Sequence, residues 1–293
     1  MWRCAGVRWG PEGPRLRWDG AARGTRESPL RPGQRLGFVL TGERRCLGVW
    51  RSGRHTPCPR AAAVGARAGS AQCPECARLD RSFSVAADTN VADPRPYRVY
   101  LAWFGPGLVK VGITAEERGA DRLLEQAAVA YGWLGRGPLM AARRTEELLR
   151  AALGVPDRIP YARKRAVRAA LPPWPERAAE VADLHARALA LAGWAETLER
   201  LPCVPVDHTA VFGLDRIPAP LCALGEPAAG AVVAGELAGA AGPDLHLADG
   251  LVVDTRLLAG WELTAAAPDA VTSVAVVPVG APVPPAGEQD GLF

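Results

Sequence analysis

The stretch that decides the fold is residues 97–114, which read YRVYLAWF, then GPG, then LVKVGIT. The two apolar runs, residues 97–104 and 108–114, are rich in β-branched and aromatic side chains, which favour strands. The GPG between them is a turn signal. These residues therefore predict an antiparallel β-hairpin.

Helical patterns follow the hairpin. Apolar residues at a spacing of three to four predict a helix over residues 116–131 and a second helix over residues 140–153. The connector 132–138 is rich in glycine and has room for one more short strand, and residues 161–170 predict a short basic helix. The sequence therefore predicts an α+β fold, with a three-stranded antiparallel sheet and flanking helices in residues 95–170.

The regions on either side of this unit have a different composition. Residues 1–43 alternate around a GPEGP turn and predict a β-hairpin, followed by a strand at LGFVL. After the unit we expect a long helix over residues 175–200 and a β-rich acidic region over residues 201–275, which could pack back against the N-terminal hairpin. Residues 276–293 lack any pattern, and we expect a disordered tail there.

Charge is distributed unevenly beneath a net value of +4. Residues 1–80 carry 15 arginines and 6 acidic residues, whereas residues 201–293 carry 2 arginines and 11 acidic residues. A basic start suggests a surface that faces a polyanion, although neutralisation across a domain contact explains the same pattern. Lys110 and Lys164 are the only lysines among 35 basic residues, and lysine and arginine are chemically different.

Simple patterns exclude two classes of protein. No apolar run approaches the ~18 residues of a membrane-spanning helix, and the start, MWRCAGVRWG, lacks the apolar segment of a signal peptide. Seven cysteines in such a chain favour thiols over disulfides, so we expect a cytoplasmic protein. Cys4, Cys203 and Cys222 stand alone in the sequence, and we expect them to be buried in packing.

A cysteine-rich segment over residues 44–80 has little apolar periodicity. It contains two short knuckles, HTPC and CPEC, with fourteen residues between them. Such a pair places four ligands tetrahedrally around Zn²⁺, whose binding supplies the folding energy that a small core lacks. The sequence leaves two ligand sets open: His55 with three cysteines, or Cys46 in place of His55. The candidate ligands are Cys46, His55, Cys58, Cys73 and Cys76.

The hairpin stretch resembles the signature of the GIY-YIG nucleases. In that family two short strands bring two motif residues side by side, and an arginine and a glutamate on later helices complete the site. Tyr100 matches the tyrosine of the first strand, whereas Lys110 stands where a second tyrosine is usual. Arg122 matches the arginine, and Glu146 is the best match for the glutamate, with Glu147 as its close competitor.

Residues 44–165 also resemble a bacterial family, domain of unknown function 2797. There a cysteine-rich segment precedes the strings VYL, KVGIT and DQGA and a later glutamate. This chain reads VYL at 99–101, KVGIT at 110–114 and RLLEQAA at 122–128. A cysteine often stands in that family where this chain has His55, which supports His55 as a substitute ligand.

The nuclease resemblance implies a metal-dependent endonuclease that binds DNA or RNA. Glu146 would hold Mg²⁺ or Mn²⁺, hard cations that favour carboxylate oxygens. Tyr100 would orient or deprotonate the attacking water, and Arg122 would bind phosphate oxygens. Lys110 could replace the second tyrosine. The alternative is a module with the same fold and a structural zinc ion that binds nucleic acid or a protein without catalysis.

The β-rich region after residue 200 offers no comparable chemistry. Asp244, His246, Asp249 and Asp254 lie among β-like runs at a spacing that matches no metal loop. We expect these four residues to occupy turns and the surface.

Overall fold

Two β-sheets, with helices and the cysteine-rich segment around them, form a mixed α+β fold. A computed structural model of the protein describes residues 2–20, 23–51, 54–81, 93–156 and 158–279. Within these residues, no helix combines the length and apolar character needed to cross a membrane.

The N-terminal part contributes four strands to the larger sheet. The hairpin expected around GPEGP is present, with Gly10 paired to Gly13 in antiparallel register. A two-stranded hairpin and a short helix belong to the cysteine-rich segment. These elements are β1 (Arg3–Gly10), β2 (Gly13–Gly20), β3 (Gly24–Pro29), β4 (Arg35–Thr41), β5 (Val49–Arg51), β6 (Arg54–Thr56) and α1 (Pro74–Arg81).

The middle of the chain forms the smaller sheet, in which a central strand pairs antiparallel with a strand on each side. The hairpin predicted from residues 97–114 supplies two of these strands, and the connector 132–138 lies in the third. The elements are β7 (Pro96–Trp103), β8 (Val109–Ala115), α2 (Asp121–Glu125), β9 (Ala130–Pro138), α3 (Leu139–Leu153), α4 (Tyr161–Val167), α5 (Trp174–Leu189), β10 (Glu199–Arg200), β11 (Val206–Asp207) and α6 (Thr209–Phe212).

The prediction of a single helix over residues 116–131 is wrong. A 3₁₀ turn at 116–118 is followed by the five-residue α2, because Gly119 and Ala127 both have positive φ angles, 48° and 61°. Such angles are incompatible with a continuous right-handed helix. The apolar residues that produced the helical pattern are buried, but they reach the core from α2 and the loop after it.

The helix predicted over residues 175–200 is too long. Helix α5 ends at Leu189, and Gly193 follows with a φ of 90°, which favours glycine. Residues Glu199–Arg200 are extended and pair with β9. The end of the predicted helix is therefore an edge strand of the smaller sheet.

The C-terminal part completes the larger, ten-stranded sheet, whose order is β17-β12-β15-β14-β13-β4-β16-β1-β2-β3. Strand β4 lies between β13 and β16, so the two ends of the chain share one sheet. The expected packing of the C-terminal region against the N-terminal hairpin is thus achieved by strand pairing. The elements are β12 (Cys222–Leu224), β13 (Val232–Ala241), β14 (Asp244–Leu247), β15 (Leu251–Asp254), α7 (Thr255–Leu258), β16 (Glu262–Ala265) and β17 (Val276–Pro278).

Strand β17 corrects part of the expectation of a disordered tail. Residues 276–278 pair antiparallel with β12, so the ordered chain extends beyond residue 275. The rest of the expected tail, from residue 280 onward, lies outside the described residues.

The two sheets meet at the turn between β13 and β14. The indole Nε1 of Trp9 donates to Gly242 O at 2.8 Å, which ties β1 to this turn. Gly242 has a φ of 60°, and an added Cβ would lie 2.9 Å from Ala127 N, in the loop after α2. Only glycine therefore allows the turn of the larger sheet to press against the loop that leads into β9. One apolar core accordingly includes residues of both sheets.

Candidate functional site

Four cysteines of the cysteine-rich segment form one group. Their Sγ atoms all lie within 4.8 Å of one another, and those of Cys58 and Cys73 are 4.0 Å apart. A tetrahedral site with Zn–S bonds of ~2.3 Å separates neighbouring sulfurs by ~3.8 Å. The four thiols could therefore hold a metal ion with little movement. The members of this cysteine group are Cys46, Cys58, Cys73 and Cys76.

The local backbone brings these thiols together. Cys46 precedes β5 and Cys58 follows β6, while Cys73 lies immediately before α1 and Cys76 is in its first turn. Gly48 has a φ of 78°, and an added Cβ would overlap the carbonyl oxygen of Thr56. A glycine is therefore required where the chain turns from Cys46 into the hairpin.

Backbone N–H groups surround two of the sulfurs. The amides of Gly48 and Cys73 donate to Cys46 Sγ at 3.4 and 3.2 Å. Burial raises the pKa of Cys58, but hydrogen bonds from the backbone of Ala62 and Arg60 outweigh it and lower that pKa to about 7. Donors aimed at sulfur favour thiolate, which is the form that binds a metal. At Cys46 the same kind of hydrogen bond opposes burial, which still raises the pKa of that thiol.

His55 lies outside the cysteine group. Because β5 and β6 pair Trp50 with His55, the two rings stack with centroids 4.2 Å apart, and the Arg17 guanidinium lies 4.2 Å from the Trp50 ring. His55 Nε2 donates to Leu47 O at 2.6 Å, and its Nδ1 is 3.6 Å from Asp19 Oδ1. Of the two alternatives that the sequence left open, the structure groups Cys46 with the other cysteines and uses His55 to pack the segment against β2.

The three remaining cysteines differ in exposure. Cys4 is buried and Cys222 is partly buried, as expected for packing residues. Cys203 is exposed, so the expectation of burial is wrong for this thiol. It lies in the irregular chain between β10 and β11, where no apolar layer covers it.

A second group of sequence-predicted residues lies on the smaller sheet. Tyr100 on β7 pairs with Gly112 on β8, and Ala102 pairs with Lys110. Directly paired residues project to the same face of a sheet, and so do residues two apart in one strand, such as Tyr100 and Ala102. Tyr100 therefore shares a face with Lys110, the partner of Ala102. The Tyr100 side chain is 1% exposed and crosses Gly112, where an added Cβ would lie 2.5 Å from Tyr100 Cζ. Gly112 is therefore what allows the tyrosine ring to lie flat across the hairpin.

Residues in or next to helices α2 and α3 influence the hydrogen bonding and the pKa of the Tyr100 hydroxyl. Gln126 Nε2 donates to it at 2.9 Å and also donates to Arg122 O at 3.1 Å. Burial raises the pKa of Tyr100, the Arg122 charge and the hydrogen bonds from Gln126 and Arg122 lower it, and the Glu146 carboxylate raises it. Arg122 of α2 and Glu146 of α3 are therefore near enough for their charges to act on Tyr100 in opposite directions. We call Tyr100, Lys110, Arg122 and Glu146 the candidate active site.

Glu147 faces elsewhere. It is exposed, and both of its carboxylate oxygens accept hydrogen bonds from Arg150, the shortest at 2.7 Å. One residue turns a helical side chain by about 100°, so Glu146 and Glu147 cannot point to the same place. The geometry thus favours Glu146 over its competitor.

Sequence reasoning missed two residues that adjoin the candidate active site. Gln126 contacts the Tyr100 hydroxyl, and Lys164 of α4 donates from Nζ to Gln126 O at 2.9 Å. Burial, together with the neighbouring charge of Lys110, lowers the pKa of Lys164 to about 7. The two lysines of the chain are therefore neighbours. The scarcity of lysine in the sequence was the one signal that pointed to residue 164.

Comparison with models of known protein families identifies the family of this chain. Residues 33–263 match the model of a family described as Protein of unknown function (DUF2797). The chain belongs to the DUF2797 family. This confirms the family indicated by the resemblance of residues 44–165, and the match extends further in both directions. No curated protein and no solved structure matches the chain.

Within the residues that match the DUF2797 family, a buried network of hydrogen bonds and ion pairs joins α4 to the larger sheet. Arg165 donates to Asp244 at 2.6 Å and to Asp254 at 2.5 Å, and Arg168 bonds Asp244 at 3.0 Å and His246 Nε2 at 2.8 Å. Arg165 lies in the last turn of α4 and Arg168 is its C-cap residue, so these five side chains, which we call the polar clamp, fix the C-terminal end of α4, just after Lys164. The clamp consists of Arg165, Arg168, Asp244, His246 and Asp254.

The polar clamp corrects the expectation for three residues of the C-terminal region. Asp244, His246 and Asp254 are 0%, 2% and 4% exposed, so they are not surface residues. They are buried because the arginines of α4 balance their charge and hydrogen-bonding needs. Asp249 behaves as expected, since it is exposed in the turn before β15 and accepts the amide of Leu251.

Proposed function

We propose that this DUF2797 protein is a GIY-YIG-like, metal-dependent endonuclease with a structural zinc ion. One observation carries the proposal: the Tyr100 ring crosses Gly112 of the paired strand, and its hydroxyl accepts a hydrogen bond from Gln126. Tyr100 is followed along the chain by Arg122 and Glu146, whose charges shift the Tyr100 pKa in opposite directions. These are the residue types, in the order along the chain, that the nuclease resemblance implies. The antiparallel pairing of Tyr100 with Gly112 supports the same assignment.

Each residue has a distinct task in phosphodiester cleavage. The Tyr100 hydroxyl accepts a hydrogen bond from Gln126, so its own proton is directed toward an attacking water or a phosphate oxygen. Arg122 carries a planar cation that binds two phosphate oxygens. Lys110 is a second cation on the same sheet face, placed to stabilise the charge that develops on phosphorus oxygens.

Glu146 is the residue that would hold Mg²⁺ or Mn²⁺. Among the described residues, the cysteine group is the one cluster of three or more metal-binding side chains, so Glu146 would act as a single protein carboxylate. Magnesium is commonly held by one or two carboxylates together with substrate phosphates, and the site fits that pattern. When bound, the ion offsets negative charge on the phosphodiester.

Nucleic acid is the partner that the surface next to the site favours. Arg122 is 44% exposed in its side chain, and Arg8 of β1 is 54% exposed. Burial raises the pKa of Asp121 in α2, and the charge of Arg8 lies near enough to oppose that rise. Basic side chains of the N-terminal strands therefore continue from the candidate active site. Such a surface attracts a polyanion through counterion release.

Zinc is the ion we assign to the cysteine group. Four thiols with tetrahedral spacing are the ligand set of closed structural zinc sites. The segment around them is short of apolar packing, since its own small cluster is formed by the cysteines with Ala62 and Val64. Metal binding would supply the missing folding energy.

One observation favours a second candidate function, a nucleic-acid-binding module without catalysis. Tyr100 is 1% exposed and its hydroxyl is engaged by Gln126. A buried phenol with a raised pKa stays protonated near neutral pH and is then not available as a general base. In this alternative Arg122 and Lys110 bind phosphate and no bond is broken.

Cleavage assays distinguish the two functions. End-labelled single- and double-stranded DNA and RNA are incubated with the full chain and Mg²⁺ or Mn²⁺. We expect cleavage by the wild type, a loss of at least ~100-fold in Glu146→Ala, and wild-type rates in the matched control Glu147→Ala. Activity that survives Glu146→Ala would contradict the assignment. An inert wild type whose binding weakens steeply with salt would establish the binding module instead.

A further inference from the structure

Lys164 occupies an aromatic cage beside the candidate active site. It is 3% exposed, and its Nζ lies 3.8 Å from the ring centroid of Phe104 and 4.4 Å from that of Tyr161. Its hydrogen-bond acceptor is Gln126 O at 2.9 Å. Aromatic faces attract a cation, so the cage fixes the ammonium group from two sides while the carbonyl fixes it from a third.

The carbonyl that Lys164 holds belongs to the residue that contacts Tyr100. Gln126 carries its side-chain amide to the Tyr100 hydroxyl and to Arg122 O. The preceding carbonyl, Glu125 O, accepts a hydrogen bond from the Tyr161 hydroxyl at 3.1 Å. Helix α4 therefore holds two successive carbonyls of the turn that aims Gln126.

This turn needs external support. Ala127 has a φ of 61°, a conformation that costs a non-glycine residue of the order of 1 kcal/mol and persists only when its surroundings enforce it. The enforcement comes from Lys164 and Tyr161 on one side and from Gly242 of the larger sheet on the other. Helix α4 is itself held by the polar clamp, and Arg256 stacks on Tyr161 with its Cζ 4.0 Å from the ring centroid.

The choice of lysine fits this geometry. Apart from Lys110 and Lys164, all 33 remaining Lys and Arg positions of the chain are arginines, so arginine is the usual cation here. A planar guanidinium is wider than an ammonium group and spreads its donors in a fixed fork, whereas the ammonium is a compact point charge. The cage between Phe104 and Tyr161 accommodates the compact group and directs one N–H to a single carbonyl.

We propose that Lys164 is a positioning residue, which fixes the turn 125–127 and thereby aims the Gln126 amide at the hydroxyl of Tyr100. The inference rests on the proposed function, since it gives Lys164 a role in positioning the group that contacts the same tyrosine. The larger sheet contributes to this arrangement, because the polar clamp holds the helix from which Lys164 projects.

The first test reads the tyrosine directly and needs no activity. The NMR resonance of the Tyr100 ring carbon Cζ is recorded in labelled full-length protein and assigned with Tyr100→Phe. We expect Lys164→Met and Gln126→Leu to move this resonance in the same direction, and the double variant to add nothing beyond Gln126→Leu. The control Arg163→Met changes an exposed residue on the same helix and leaves the resonance unchanged.

A Tyr100 resonance that stays at its wild-type position in Lys164→Met would overturn the inference, as would full additivity in the double variant. Folding is checked by zinc content and near-ultraviolet circular dichroism. If Lys164→Met does not fold, Lys164→Arg replaces it, because that variant keeps the charge but not the compact geometry, and the same displacement of the resonance is expected.

The second test separates this inference from the proposed function. If the wild type cleaves nucleic acid, Lys164→Met should lower kcat at least ~10-fold with KM unchanged, since positioning acts on the reacting group. Wild-type kcat in Lys164→Met with an unmoved resonance refutes the positioning role and leaves the nuclease intact. A moved resonance in a protein that never cleaves refutes the nuclease and leaves the positioning role intact.

Discussion

The cysteine group and the polar clamp perform the same structural task by different chemistry. Each fastens a segment to its surroundings with polar groups. The cysteine group gathers four thiols from one short segment, where the amide of Cys73 reaches Cys46 Sγ across 27 residues. The polar clamp joins side chains that are 76 to 89 residues apart. The first is therefore visible as a spacing in the sequence, and the second exists only after the chain has folded.

The two also differ in what completes them. The thiols of the cysteine group could hold a metal ion, and on our proposal that ion from outside is what keeps the four sulfurs together. The polar clamp carries its own counter-charges, because two arginines of α4 face two aspartates of the larger sheet. Buried ion pairs of this kind are costly to break, although they add little over apolar packing.

Metal removal has the largest expected effect. Chelation, or Cys73→Ser, should unfold the segment over residues 44–80 at a cost of up to ~10 kcal/mol of metal-linked folding free energy. Amide hydrogen exchange, with metal analysis of the purified chain, measures it. The expected result is one zinc ion per chain and loss of protection confined to this segment and the strands it covers.

Cys203→Ser is the matched control for metal removal. Cys203 is exposed and lies outside the cysteine group, so the variant should keep its zinc and its exchange pattern. A chain purified without zinc that shows the same protection in chelator would contradict the assignment of the metal.

Breaking the polar clamp has the next largest effect. Asp244→Asn removes the carboxylate that Arg165 and Arg168 share and leaves two buried cations underpaired. We expect the free energy of unfolding to fall by ~3–5 kcal/mol, measured by urea denaturation, with the zinc content unchanged. The control Asp249→Asn alters an exposed turn and should remain within ~0.5 kcal/mol of wild type. Loss of zinc in Asp244→Asn would show that the two regions are not independent.

The sequence predicted elements where the signals were local. The hairpin of residues 97–114 and helix α3 formed as expected, because alternation, turn residues and helical periodicity agree there. The prediction of one helix over residues 116–131 was wrong. The apolar residues there are buried at a helix-like spacing, but the backbone turns at Gly119 and again at Ala127, where φ is positive. The cysteine-rich segment was identified, but the choice between Cys46 and His55 depended on the hairpin register that stacks His55 on Trp50.

The residues of the candidate active site also fall into those that the sequence could identify and those that it could not. Tyr100, Arg122 and Glu146 could be named from residue order through a family resemblance, and the charges of Arg122 and Glu146 both act on the pKa of Tyr100. Gln126 and Lys164 could not be assigned roles, because the Lys164–Gln126 contact spans 38 residues and depends on where α4 docks. That docking is set by the polar clamp, whose partners the sequence gives no means of pairing.

The smallest expected effect concerns His246 and acid. Burial and the Arg168 cation lower the pKa of His246 to about 3 against the opposing effect of Asp244, whereas the unfolded chain protonates this ring near 6.5. Between these values the unfolded state binds the extra proton, so stability falls as the pH falls from 6.5 toward 3, and above 6.5 the group contributes nothing. The slope due to this one group is at most ~1.4 kcal/mol per pH unit.

Urea denaturation of wild type and His246→Gln from about pH 6 to about pH 4.5 isolates this contribution. Burial also lowers the pKa of His208, and protonation of the thiols weakens metal binding in acid, but both effects are present in wild type and variant and cancel in the difference. The Asp244 carboxylate, whose pKa the arginines lower to about 2 against burial, titrates below this window. We expect a shallower acid slope in His246→Gln. Equal slopes would mean that the ring is not buried against Arg168, and the polar clamp would then be open on the side of β14.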